Sequence, residues 1–207
     1  MPISTALMAR CDSPNLHSKN LMLNTQCAAK ASAIAALLLW TTACFPHVVL
    51  DEPVAMAGAN YKATLRVGHG CEGAPTTAIT VLIPSGFQGA QPKFKPGWVL
   101  TVQRDKLAQP YSSHGKTVLE DVSEITWTAA SREHALPDAF FDEFVLRGGL
   151  PQDAQALWFK VLQTCENGRN DWTQIPAQGL STKGLKFPAA LLELIPSGPA
   201  GQGGHQH

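Results

Sequence analysis

The sequence predicts an all-β fold, a two-sheet Greek-key sandwich of the immunoglobulin or fibronectin-III kind. Three observations predict it. Glycine and proline, 17 and 15 of the 207 residues, recur at short intervals and punctuate the chain. Between them lie runs rich in β-branched and aromatic residues, several alternating apolar with polar, the period of a strand with one buried face. About seven or eight such runs, parted by turns, are the pattern of a sandwich rather than a bundle or a parallel α/β sheet.

The chain opens on a different texture. Residues 1–21 show no periodicity. From Met22 a pattern emerges: Lys30 supplies positive charge, Ala31 to Trp40 are mostly apolar, and the small residues Thr41, Thr42 and Ala43 follow. That order describes a secretory signal peptide. The apolar run is too short for the ~20 residues of a spanning helix. Residues 1–46 are therefore expected to be a leader, 47–195 the folded domain and 196–207 a Gly- and His-rich flexible tail. Two processing points compete. A cut before Cys44, or lipid attachment at Cys44, leaves His47 as residue four. A cut after Pro46 makes His47 the first residue of the mature protein.

The domain then reads strand by strand. Val48 to Leu50 starts a short strand, and Ala57-Gly58-Ala59-Asn60 turns the chain. Tyr61 to Val67 alternates, with Tyr61, Ala63, Leu65 and Val67 inward and Lys62, Thr64 and Arg66 toward water. Gly68-His69-Gly70-Cys71-Glu72-Gly73 is a turn. Thr76 to Ile83 is β-branched and stops at Pro84-Ser85-Gly86. Trp98 to Val102 follows the turn Lys93–Gly97, and His114-Gly115 starts another turn. Val118 to Thr128 puts Ile125, Trp127 and Ala129 on one face. Ala139 to Arg147, Leu157 to Cys165 and a short strand from Trp172 complete the set.

Composition narrows the function. The charge is zero overall and about −2 once the leader is set aside, with no basic stripe, so nucleic acid is not an expected partner. Neither CxxC nor HExxH occurs, nor a phosphate loop or a strand-turn-helix serine, so no enzyme is expected. Three of the five cysteines lie in the leader. The remaining pair, Cys71 and Cys165, most simply forms a disulfide in an exported protein, the alternative being a two-cysteine copper site.

The candidate chemistry begins at His47. As a first residue it would offer a metal its ring nitrogen and its α-amino group, whose reference pKa is only about 8. Nitrogen and carboxylate donors in a tetragonal arrangement suit Cu(II). In the strand Phe140–Arg147, alternation puts Asp142 with Phe140, Phe144 and Leu146, and Glu143 with Phe141 and Val145. One carboxylate therefore shares the inward face and needs a cation, a metal or several donors. Trp158 stands with Lys160 and Thr164, off the apolar face of its strand, where a tryptophan would be covering something. His69, His114 and His134 sit in loops at wide spacing, and His205 and His207 lie near the chain end.

Several segments together resemble the YcnI-like copper-binding proteins: His47-Val48-Val49-Leu50, Tyr61–Val67 into Gly68-His69-Gly70-Cys71, Pro75-Thr76-Thr77, Lys95-Pro96-Gly97-Trp98, Ile125-Thr126-Trp127, Phe141-Asp142-Glu143-Phe144 and Gln163-Thr164-Cys165. The resemblance runs from about 47 to 195. It implies an exported β-sandwich that binds Cu(II) through an N-terminal histidine, a monohistidine brace, with a carboxylate ligand and a nearby tryptophan. By position these are His47, Glu143, and Trp158 with Trp172 second. The implied role is a periplasmic or extracytoplasmic copper chaperone or storage module, exchanging copper with another trafficking or membrane-transport protein. The alternatives are a copper-dependent oxidative enzyme and a metal-free adhesion or interaction sandwich.

Overall fold

A computed structural model describes residues 47–197. The expected leader at 1–46 and the tail from 198 lie outside the described residues. The described chain forms eleven strands and one short 3-10 turn, Arg132–His134. In order the strands are β1 Val49–Leu50, β2 Val54–Met56, β3 Asn60–Val67, β4 Thr76–Leu82, β5 Gln88–Pro92, β6 Trp98–Ser113, β7 Lys116–Ala129, β8 Asp142–Gly149, β9 Ala156–Cys165, β10 Arg169–Trp172 and β11 Ala190–Ile195.

Two sheets face each other. One has the order β1-β3-β8-β5, and the other β2-β11-β9-β4-β7-β6 with β10 also pairing β9. Every pairing is antiparallel except β2 with β11. The inward positions follow the alternation in the sequence, but Thr64, expected toward water, is also buried, at 7% exposure. Ala63, Leu65 and Val67 of β3, Phe144 and Leu146 of β8, Ile79 and Val81 of β4, and Phe159 and Val161 of β9 are all essentially sealed from water. Aromatic rings lock the layers edge to face. Trp98 and Trp127 meet Phe144 at centroid distances of 5.1 and 5.7 Å, and Phe87 meets Phe159 at 5.3 Å. Trp127 is core, as its alternation implies, and its indole N–H donates to the Lys93 carbonyl at 3.1 Å.

Several elements depart from the sequence reading. β2 and β5 are too short or irregular to register as strands, and β11, Ala-Leu-Leu-Glu-Leu-Ile, is too uniformly apolar to show alternation. β8 begins at Asp142, after a turn in which the Phe140 N–H donates to the Pro137 carbonyl, instead of at Ala139, and β10 ends at Trp172 instead of beginning there. β6 runs to Ser113 instead of ending at Val102. It pairs β7 as far as Ser113↔Lys116, forming a long hairpin arm closed by His114-Gly115. Both turn residues have positive φ, 49° and 73°; that is the requirement of a two-residue type I′ turn, whose twist matches the strands.

A buried carboxylate ties the arm down. Asp121 of β7 is 6% exposed. It accepts from the Gly89 N–H and the Tyr111 hydroxyl through Oδ2, and from the Val122 N–H through Oδ1, each at 2.7 Å. Burial alone would raise its pKa, but these donors, with Arg104 nearby, lower it below the usual carboxylate value. Burial, then the hydrogen bond to Asp121, pushes the Tyr111 phenol up to about 12. A depressed carboxylate stabilises the fold above its unfolded pKa, and that contribution is lost as pH falls through the folded one. Asp121→Asn turns an NH2 toward donors and is expected to cost about 1–3 kcal/mol. Urea melts should also show its stability depending less on pH below 4 than the parent's does.

Candidate metal site

The site forms where strands end. Val67 closes β3 opposite Asp142 at the start of β8, and Thr76 opens β4 opposite Cys165 at the end of β9. The connecting segments therefore gather at one end of the sandwich. Val48 and Leu50, 2% and 4% exposed, pin the first described strand to the core and so fix His47 just ahead of it.

The His47 ring lies 5.8 Å from the ring of Trp172, tilted by 55°. On the same indole, the His69 ring stands edge-on at 6.3 Å. Phe187 backs the indole at 5.3 Å. His69 belongs to the loop after β3. Its Nδ1 is 2.5 Å from the Gly70 carbonyl, so Nδ1 carries the proton. The Gly70 N–H donates to Asp138 Oδ1 at 2.9 Å, bringing a carboxylate to the same loop. Gly70 must be glycine, because a Cβ there would come within 1.9 Å of the Ala74 carbonyl oxygen.

One buried amide holds these pieces in register. Gln163 of β9 is 1% exposed. Its Nε2 donates to the His69 carbonyl at 2.6 Å and to Thr76 Oγ1 at 2.8 Å, and its Oε1 accepts from the Trp172 indole N–H at 2.9 Å. Replacing it by leucine strands a buried indole donor and a carbonyl acceptor. Gln163→Leu is expected to cost about 1–3 kcal/mol in chemical denaturation, despite its similar volume. The loop is held a second time by a disulfide between Cys71 and Cys165, 94 residues apart, and the segment before Asp138 by paired backbone bonds between Thr76 and Leu136.

The structure brings together only some of the residues singled out in the sequence. His47 and Trp172 touch. Trp158 projects from the opposite side of β9 from the core residues Leu157 and Phe159, opposite Leu191, and is half-buried on the outer face of the larger sheet. Glu143 is exposed on the outer face of β8, opposite Arg66, and its own carbonyl accepts from Lys95 at 3.2 Å. The inward-phase carboxylate, Asp142, finds its cation in Lys95 at 2.7 Å. His114 is at the arm tip, and His134 bonds Ser131 at 2.8 Å. Asp138 and His69 carried no strand pattern that could have marked them. Gln163 did carry one, since alternation puts it on the apolar face of β9, where an amide must be satisfied.

Among the described residues, no three His, Cys, Asp or Glu side chains form a closed metal cage. A chain-terminal histidine needs fewer side chains, because it supplies two nitrogens itself. Imidazole, amine and carboxylate are a donor set that fits Cu(II). The disulfide suits an oxidising compartment, and among the described residues no helix is long and apolar enough to cross a membrane.

Comparison with known proteins agrees with this architecture. Residues 47–194 match the family described as Domain of unknown function (DUF1775), within which the YcnI-like resemblance falls. A solved structure, described as that of an uncharacterized protein from Nocardia farcinica with an immunoglobulin-like fold, is 29% identical. It aligns with a TM-score of 0.55 over 72% of this chain and 97% of that one. No curated protein matches.

Proposed function

The chain belongs to the DUF1775 family, and we propose that it is an exported copper(II)-binding protein, a chaperone or storage module rather than a catalyst. The observation that carries this reading is the His47 ring seated on Trp172 beside the loop of His69 and Asp138. Export and removal of residues 1–46 would free the amine of His47. Copper then takes that amine and the ring nitrogen as a chelate, with Asp138 as the carboxylate in place of Glu143. Trp172 walls one side of the imidazole, and its indole is fixed by Gln163. His47 is only half-buried, so the ion stays open to exchange with a second trafficking or membrane-transport protein.

The test uses protein beginning at His47. Titration with Cu(II) is expected to quench one part of the tryptophan fluorescence with a stoichiometric end-point, and Trp172→Phe should remove that part. Fluorescence that is unmoved by copper would reject the site. The second histidine on the same indole favours one other reading, a copper-dependent oxidative enzyme. Oxygen consumption by the copper-loaded protein with ascorbate separates the two. A carrier should consume oxygen no faster than free copper does.

A further inference from the structure

We propose that the cleft between the outer face of the four-stranded sheet and the tip of the β6–β7 arm binds a small polyvalent oxyanion. The cleft measures about 660 Å³, in the range of small-molecule sites, and its lining includes Lys62, Arg147, Gln88, Gln91, Tyr111 and His114.

The charge arrangement is the first argument. Lys62 of β3 lies directly opposite Arg147 of β8. Like charges directly across a strand pair repel and destabilise. Among the described residues neither enters an ion pair. Arg66, further along the same face of β3, is by contrast paired with Asp51 at 3.4 Å. The Arg147 guanidinium rests instead on a neutral oxygen, donating to Gln91 Oε1 from Nε at 2.9 Å and from Nη2 at 2.7 Å. No aspartate or glutamate lines the cleft. Asp121, bonded to the cleft residues Gly89 and Tyr111, already accepts from three donors. A polyvalent oxyanion supplies the missing counter-charge, and a guanidinium fork suits carboxylate and phosphate geometry.

The backbone is the second argument. Gly148 and Gly149 form part of the floor. Gly148 is in the inward phase, where a Cβ would fall 2.4 Å from the buried Phe87 ring, whereas Gly149 is in the outward phase and puts no side chain on the cleft floor. The β5–β8 register slips between Gln88 and Gln91, a bulge that re-aims those amides at the cleft edge. The Asp121 latch holds the arm to β5, so the arm wall is fixed in place. At the arm tip His114 occupies a left-handed turn position with φ 49° where asparagine is the favoured residue. An imidazole there gives the cleft a donor that the turn itself does not need.

The test is calorimetric titration of metal-free protein with citrate, tripolyphosphate and, as a neutral control, maltotriose, at low salt. One oxyanion is expected to bind and the sugar not to. Tighter citrate marks a carboxylate ligand, and tighter tripolyphosphate a phosphate. Arg147→Gln and Lys62→Gln should each weaken binding by about 10-fold or more, about 1.4 kcal/mol, without lowering the melting temperature, since each relieves a like-charge pair. His114→Asn suits the turn at least as well and should still weaken binding. His47→Ala should bind as the parent does, which keeps this result apart from the copper reading. Absence of binding by both oxyanions at 10 mM, equal binding of the sugar, or parent-like affinity in all three cleft variants would overturn the proposal.

Discussion

Replacing His47 by alanine in protein that begins at that residue is expected to weaken Cu(II) binding by at least about 100-fold, or ~2.7 kcal/mol. The substitution keeps the amine and removes the ring nitrogen, so the chelate is reduced to one anchor. Adding one residue before His47 should do comparable damage from the other side, because it turns the amine into an amide while leaving the imidazole on Trp172. An imidazole-only site predicts a loss in the first variant and none in the second. The carboxylate can be assigned in the same titration. Asp138→Asn retains an oxygen to accept from the Gly70 N–H, so the loop is held while the negative charge goes. It should lose about 10-fold or more. Glu143→Gln, on the exposed outer face opposite Arg66, should bind as the parent does. If the two variants exchange these outcomes, the metal sits on the outer face of β8 and the proposed donor set is wrong.

The residues of this site differ in how far the sequence reveals them, and the difference is physical. Alternation reports which side of a strand a residue takes, so the inward faces of β3, β7 and β9 and the core role of Trp127 are legible. It cannot report which loops meet at one end of the sandwich. Asp138 and His69 are placed by the pairing of Val67 with Asp142 and of Thr76 with Cys165, contacts between segments far apart in the chain. Trp172 reaches His47 only because β10 folds back along β9, with Trp172 opposite Val161. Trp158, in plain sight on a polar strand face, turns out to cover the outside of the larger sheet. The arm was hidden for a different reason. Beyond Val102, most of β6 is exposed, and a ribbon wetted on both faces needs no alternation at all.

Removal of the disulfide, by the double substitution Cys71→Ala and Cys165→Ala, is expected to lower stability by roughly 4–5 kcal/mol on the chain-entropy model. For a domain of this size that is a fall in melting temperature of roughly 8–20 °C. The bridge spans 94 residues, so the unfolded chain gains most of a domain's length of freedom when it is cut. Both cysteines are buried, at 3% and 6% exposure, so the truncations add small cavities to the loss rather than relieving strain. The parent measured under reducing agent should follow the double variant. A shift of only a degree or two would mean that the backbone pairs between Cys71 and Ala74 and between Thr76 and Leu136 already hold this end closed. Copper affinity gives a second readout. The bridge tethers the loop of His69 to the strand that carries Gln163, and Gln163 in turn fixes Trp172. Copper binding measured well below the lowered melting point should therefore weaken several-fold. The remaining affinity should disappear on adding His47→Ala, because the bridge positions the wall of the site while the chain end supplies its nitrogens.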